Sequence, residues 1–125
     1  MNELSIKQVN NLITGNLMVA EIPAVRENHK GFIAVQAYNP KEDNSEKFKE
    51  VSRYLNDRKK DNLLFSIQKC EIEEQYIDSW DTDYYMKDYI CIKDIKSIKE
   101  LEVILVRHLT DLSQLDNCWN IRNPF

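Results

Sequence analysis

Glycine is scarce in this sequence, at two residues in 125, and proline is hardly commoner, at three. With so few of either there is no flexible linker to divide the chain, and Gly15 and Gly31 stand outside any GxGxxG or Walker pattern. A phosphate cradle of exposed backbone N–H groups is thereby excluded as a sequence-level expectation. Histidine is limited to His29 and His108. Acyl transfer by a serine or cysteine nucleophile would have to recruit one of them as its base. His108 falls on the apolar side of a helical pattern and His29 in a polar loop, the positions of a packed and a solvated imidazole. The three cysteines, Cys70, Cys91 and Cys118, are odd in number, widely spaced and without a CxxC pair. They suit neither a disulfide framework nor a zinc site, and reduced, structural thiols are expected. No hydrophobic run approaches the length needed to cross a bilayer; VILV at 103–106 is typical. The first twenty residues lack the basic and apolar regions of a secretory leader, so the expectation is a cytoplasmic protein without membrane contact.

What is present is an ordinary globular composition, 42% hydrophobic and 30% charged, which a single core can accommodate at this length. One domain over 1–125 is expected, with an irregular tail from 111 onward. The net charge of −4 is unevenly placed. Residues 71–88 carry seven acids and one base, a local net of −6, while the remainder has 14 acids and 16 bases. The basic run at 58–60 is flanked by Asp57 and Asp61 and closes an amphipathic pattern, as suits a helix C-terminus better than a nucleic-acid contact.

The periodicities predict an α+β domain. Ser5 is placed to cap a short helix with Ile6, Val9, Leu12 and Ile13 on one side, stopped at Gly15. A strand is expected over 16–22, ending at Pro23, and a second over 32–38, with Ile33, Val35 and Ala37 on one face and Phe32, Ala34, Gln36 and Tyr38 on the other. Ser45 begins a second helical pattern through Phe48, Val51 and Leu55. A third strand alternates from Leu63 toward Ile72, and a fourth spans 85–93, where Met86, Ile90 and Ile92 share a face and Asp88 breaks it. SIKE at 97–100 reads as a capping box, followed by Leu101, Ile104, Leu105, His108, Leu109 and Leu112 at helical spacing. The expected architecture is an antiparallel or mixed sheet of four to five strands with three helices packed on it.

The stretch WDTDYYMKD, 80–88, concentrates the chemistry. Asp81-Thr82-Asp83 is a DxD of the kind that can hold a divalent cation, and a small metal-dependent enzyme is one reading; three residues are a short motif, and an EF-hand would need a glycine and a glutamate that are missing. Paired carboxylates as acid and base would need unequal environments. A third reading is recognition: Trp80, Tyr84 and Tyr85 as large, low-entropy anchors, with Glu73, Glu74, Asp78, Asp81, Asp83 and Asp88 steering a basic partner. The plain alternative is that some aromatics are core and the acids merely solvate a loop. The recognition reading assigns no catalytic residue, metal or cofactor.

In its layout the chain resembles the immunity proteins of bacterial polymorphic toxin systems, including those of contact-dependent growth inhibition. The features that carry the resemblance are the YYMKDYICIKD strand followed by the capped SIKELEVILVRHL helix, and the DLSQL and WNIRNPF pieces of the tail. It implies binding to the C-terminal domain of a cognate toxin, often a nuclease and therefore basic, with no direct contact to nucleic acid. An interaction subunit or adaptor that inhibits nothing is the alternative.

Overall fold

The computed structural model describes residues 3–39 and 63–125. The helix expected after Ser45 lies outside the described residues. Five antiparallel strands form one sheet in the order β4-β3-β2-β1-β5: β1 Met18–Ile22, β2 His29–Tyr38, β3 Leu64–Glu73, β4 Lys87–Ile95 and β5 Asp116–Asn117. Among the described residues three α-helices accompany them, α1 Ile6–Ile13, α2 Thr82–Tyr85 and α3 Ile98–Leu105, and the class is α+β.

Alternation along β2 and β3 gives the sheet two apolar faces. Ile33, Val35 and Ala37 join Met18, Ala20, Phe65 and Ile67 in one cluster, which takes in Leu12 of α1, Leu101 and Leu105 of α3, and Leu109, Leu112 and Leu115 beyond it. Phe32, Ala34, Val19 and Ile72 form a second cluster on the opposite face, roofed by Ile77 and by half-buried Tyr76, Tyr85, Cys118, Ile121 and Phe125. The roof is thus made by the acidic segment and the tail. Gly31 pairs with Ile22 across β1 and β2, and a Cβ there would stand 2.9 Å from Ile22 Cγ1 and from its carbonyl oxygen. Only glycine fits that approach.

The caps behave as their chemistry dictates. Ser5 Oγ accepts from the Gln8 N–H while Gln8 Oε1 accepts from the Ser5 N–H, a closed capping box. At the other end Gly15, with φ 92°, donates to Leu12 O and Asn16 donates to Asn11 O, a Schellman closure. Replacing Gly15 by alanine forces a Cβ into the left-handed region and is expected to cost about 1–2 kcal/mol. Urea unfolding checks this; an unchanged midpoint would contradict it. The buried face of α1 differs from the apolar pattern: Ile6 is exposed, and Gln8 is buried, donating to the carbonyls of Leu112 and Leu115 at 2.8 and 3.1 Å. A carboxamide does here what a leucine could not, satisfying two carbonyls at the start and end of the 3-10 turn Leu112–Gln114.

Several boundaries depart from the sequence reading: β1 starts at Met18 rather than 16, β2 at His29 rather than 32, so His29 lies in a strand and not in a loop, and the tail expected to be irregular carries β5 and two 3-10 turns. The Ser97-capped helix stops at Leu105 rather than running to Leu112, because the N–H groups of Arg107 and His108 bond to Ile104 and Leu105, three residues back, tightening the chain into a turn. Its capping box is also half-formed, since Glu100 reaches the Lys96 N–H instead of the Ser97 N–H. The fourth strand begins at Lys87, and Tyr85 belongs to α2. Within β4, two residues twice oppose one on β3: 88 and 89 against 70, and 93 and 94 against 66. The extra residues are Asp88 and Asp94, at φ 52° and 62°. Aspartate tolerates this conformation better than most side chains, and each bulge shifts the face parity by one. That is why Asp88 breaks the alternation. Tyr38 braces the second bulge, its hydroxyl donating to Asp94 Oδ1 at 2.6 Å and accepting from the Asp94 N–H at 2.9 Å.

Candidate docking surface

The segment 74–86 is an ordered roof over the second cluster. After β3 the chain makes the 3-10 turn Glu74–Tyr76, tucks Ile77 into the core and returns through α2. Tyr85 stacks on Tyr76 with ring centroids 3.8 Å apart and planes 4° from parallel. Tyr84 meets Tyr85 edge-on at 5.1 Å. Tyr85 is half-buried in the second cluster, where it braces the segment from below. Trp80 and Tyr84 face the other way: the Trp80 side chain is fully exposed, at 103%, and Tyr84 is 79% exposed.

The tail straps this roof down. Arg122 donates through Nε and Nη2 to Asp78 Oδ2 at 2.9 and 2.7 Å, and Nη2 also reaches Glu74 O at 3.5 Å. Thr82 Oγ1 donates to Pro124 O at 2.9 Å. Asn123 Nδ2 donates to Cys118 O and Ile121 O, closing the tail on itself. The short strand β5, two residues long, ties the preceding stretch to β1.

These contacts redistribute the charge that the sequence places in one block. The hydrogen bond and charge of Arg122 hold the Asp78 carboxyl below the usual carboxylate range, and Arg26 does the same for Asp88. Burial raises the Glu71 carboxyl, but the N–H groups of Val25 and Arg26 and the Arg26 charge outweigh it and the net shift is downward. Glu74 lies 3.7 Å from Lys30 Nζ, and Glu73 accepts from Gln75 at 2.7 Å. Asp81 accepts only the Ser79 hydroxyl, at 3.2 Å, and Asp83 has no ion pair among the described residues. Glu73, Asp81 and Asp83 are thus the acids of this segment without an ion pair among the described residues, and the last two lie beside the exposed Trp80 and Tyr84. Sequence counting missed Arg26, Lys30 and Arg122, which come from distant parts of the chain.

The Asp78–Arg122 contact has a pH signature. A carboxyl whose folded pKa is depressed stabilises the fold above its unfolded value of about 3.8 and loses that contribution as pH falls through the folded one. Acidification below about pH 3.8 is expected to release the tail before the sheet melts, seen as earlier amide exchange at 119–125 than in β2. Simultaneous loss of protection would contradict it.

On the same face, where β2 and β3 leave the roof, the alternating positions turn polar. Phe32 and Ala34 give way to Gln36, and Ile72 and Cys70 to Gln68. A groove of about 710 Å³ opens there. The sheet residues Gln36, Gln68 and Tyr89 floor it, and Leu17, Thr82, Asp83, Met86, Pro124 and Phe125 complete its lining. A second hollow of about 540 Å³ lies between Asn28, Glu73, Glu74, Gln75 and Arg122. The polar switch at Gln36 and Gln68 is the sequence signal that would have marked the groove.

Elsewhere Cys70 is buried, Cys118 half-buried and Cys91 exposed, and His29, at the start of β2, holds Nδ1 2.7 Å from Glu27 O. Burial pushes the Cys70 thiol up to about 11, and Cys70, Cys91 and Cys118 are all free. His108 sits half-buried in the turn after α3, lowered by burial and by the charges of Lys69 and Arg107, with Lys69 Nζ 3.4 Å from its Nδ1. Among the described residues no three His, Cys, Asp or Glu side chains converge as metal ligands, and no helix is long and apolar enough to cross a membrane. Comparisons with protein-family models, curated proteins and solved structures found no match to this chain.

Proposed function

We propose that this chain is an immunity-type inhibitor that binds a basic toxin domain, a nuclease being the best chemical fit, through the surface at 78–84. The observation that carries the reading is the fully exposed Trp80 on a braced, stacked and strapped support. A large apolar side chain held out in water does nothing for the fold of its own chain, and tryptophan is the commonest anchor at protein interfaces. Asp81 and Asp83 beside it supply uncompensated negative charge. A nuclease must present cations to phosphate, so a pair of carboxylates can occupy that groove as substrate phosphates would, while the indole fills an adjoining pocket. Because the support is already ordered, little conformational freedom is lost on docking.

The test is co-expression with the toxin domain that, on this reading, is encoded beside this chain's gene. Rescue of growth together with co-purification is the expected result. Co-purification without rescue would reassign the chain to a non-inhibitory adaptor role, and the absence of both would end the proposal.

A further inference from the structure

We infer that the groove over Gln36, Gln68 and Tyr89 is the seat of an arginine side chain of the partner; this rests on the docking reading above and gives it a specific contact. The groove has the size of an ordinary ligand site, and its lining has the composition a guanidinium selects. Asp83 stands at the wall as a carboxylate without an intramolecular cation among the described residues. On the floor, Gln68 Oε1 accepts one hydrogen bond, from the Tyr89 hydroxyl at 3.0 Å, and retains a second lone pair; Gln36 adds another carbonyl. Met86 and Phe125 offer apolar walls for the methylene stem and for the flat face of the guanidinium.

Charge complementarity decides the occupant. Among the described residues no positively charged side chain lines the groove, so an anion would meet Asp83 without compensation from them. A neutral apolar group would offer no donor to the remaining lone pairs of Gln36 and Gln68, which is costly once water is excluded. Arginine carries five donors in a rigid plane and stacks on aromatic faces, whereas the lysine ammonium is compact and strongly hydrated. Acceptors at several points of the lining, with an aromatic side chain among them, match the former.

The whole chain, isotopically labelled, is titrated with N-acetyl-arginine amide and followed by NMR, with the lysine and norleucine amides in parallel. Saturable shifts are expected at the Gln36 and Gln68 side-chain amides and at the backbone of Asp83 and Phe125. Asp83→Asn should weaken the arginine probe on the order of tenfold, and the lysine probe should bind several-fold more weakly than arginine in the unaltered chain. Equal response to norleucine amide, indifference to Asp83→Asn, or lysine binding as tight as arginine would each overturn the assignment. No toxin is needed, so failure here leaves the immunity reading standing. A chain that takes the arginine probe yet neither rescues growth nor co-purifies with the toxin domain fails in the opposite sense.

Discussion

Trp80→Ala is expected to weaken binding to the basic partner by about thirtyfold or more, the loss typical of an interface anchor, while leaving thermal unfolding where it was. The pairing of outcomes is what makes the experiment informative. Trp80 is fully exposed and belongs to neither core cluster, so its truncation removes nothing from the fold and a loss of affinity must come from the interface. Asp81→Lys with Asp83→Lys examines the electrostatic half of the same surface. Two uncompensated charges are reversed, and binding should fall by well over tenfold, more steeply at low salt because exposed charges are screened beyond a Debye length of about 10 Å at 0.1 M. Calorimetry at two ionic strengths measures both. If neither variant shifts the dissociation constant, 78–84 is not where the partner docks.

Phe32→Ala should be the most damaging single truncation on the roofed face. Phe32 is completely buried and packs in the second cluster with Val19, Ala34, Ile72 and Ile77. Removing its ring leaves a cavity beneath the roof and is expected to cost about 3–5 kcal/mol, a large part of the roughly 5–15 kcal/mol that holds a domain of this kind together. The denaturant midpoint should fall steeply at unchanged slope. A loss below about 1 kcal/mol would mean that the roof is not packed on the sheet as described. The effect should also reach the docking surface. Tyr76 and Tyr85 rest on this cluster, so a loosened floor under their stack leaves Trp80 and Tyr84 less well positioned.

Much of the fold was legible because it is local. The alternation from Phe32 to Tyr38 assigned both faces of β2 correctly, and the same holds for Phe65 and Ile67 against Ser66 and Gln68 in β3. Ser5 and Gly15 announced both ends of α1. What could not be read depends on contacts made across the chain. Gln8 looks like a solvent-facing position until the carbonyls of Leu112 and Leu115 are brought over it. Asp88 looks like a flaw in a strand until the bulge and Arg26 account for it. Counting charges over 71–88 located the acidic region but overstated its uniformity, since a window of sequence cannot see an arginine 44 residues away. Tyr84 and Tyr85 are adjacent and chemically identical. That one faces water and the other is stacked follows from the turn into α2 and its packing on Tyr76, which no pattern of residue types encodes.

The strap between Arg122 and Asp78, with Pro124 on Thr82, bears on how the protein can be handled. An affinity handle joined directly after Phe125 would act on the presentation of Trp80 without replacing any residue expected to touch the partner, whereas a cut made ahead of Arg122 would also remove Phe125 from the groove. A weakened complex from such a fusion would report a disturbed scaffold. Handles on this chain are better set on the far side of the sheet, where α1 and α3 lie.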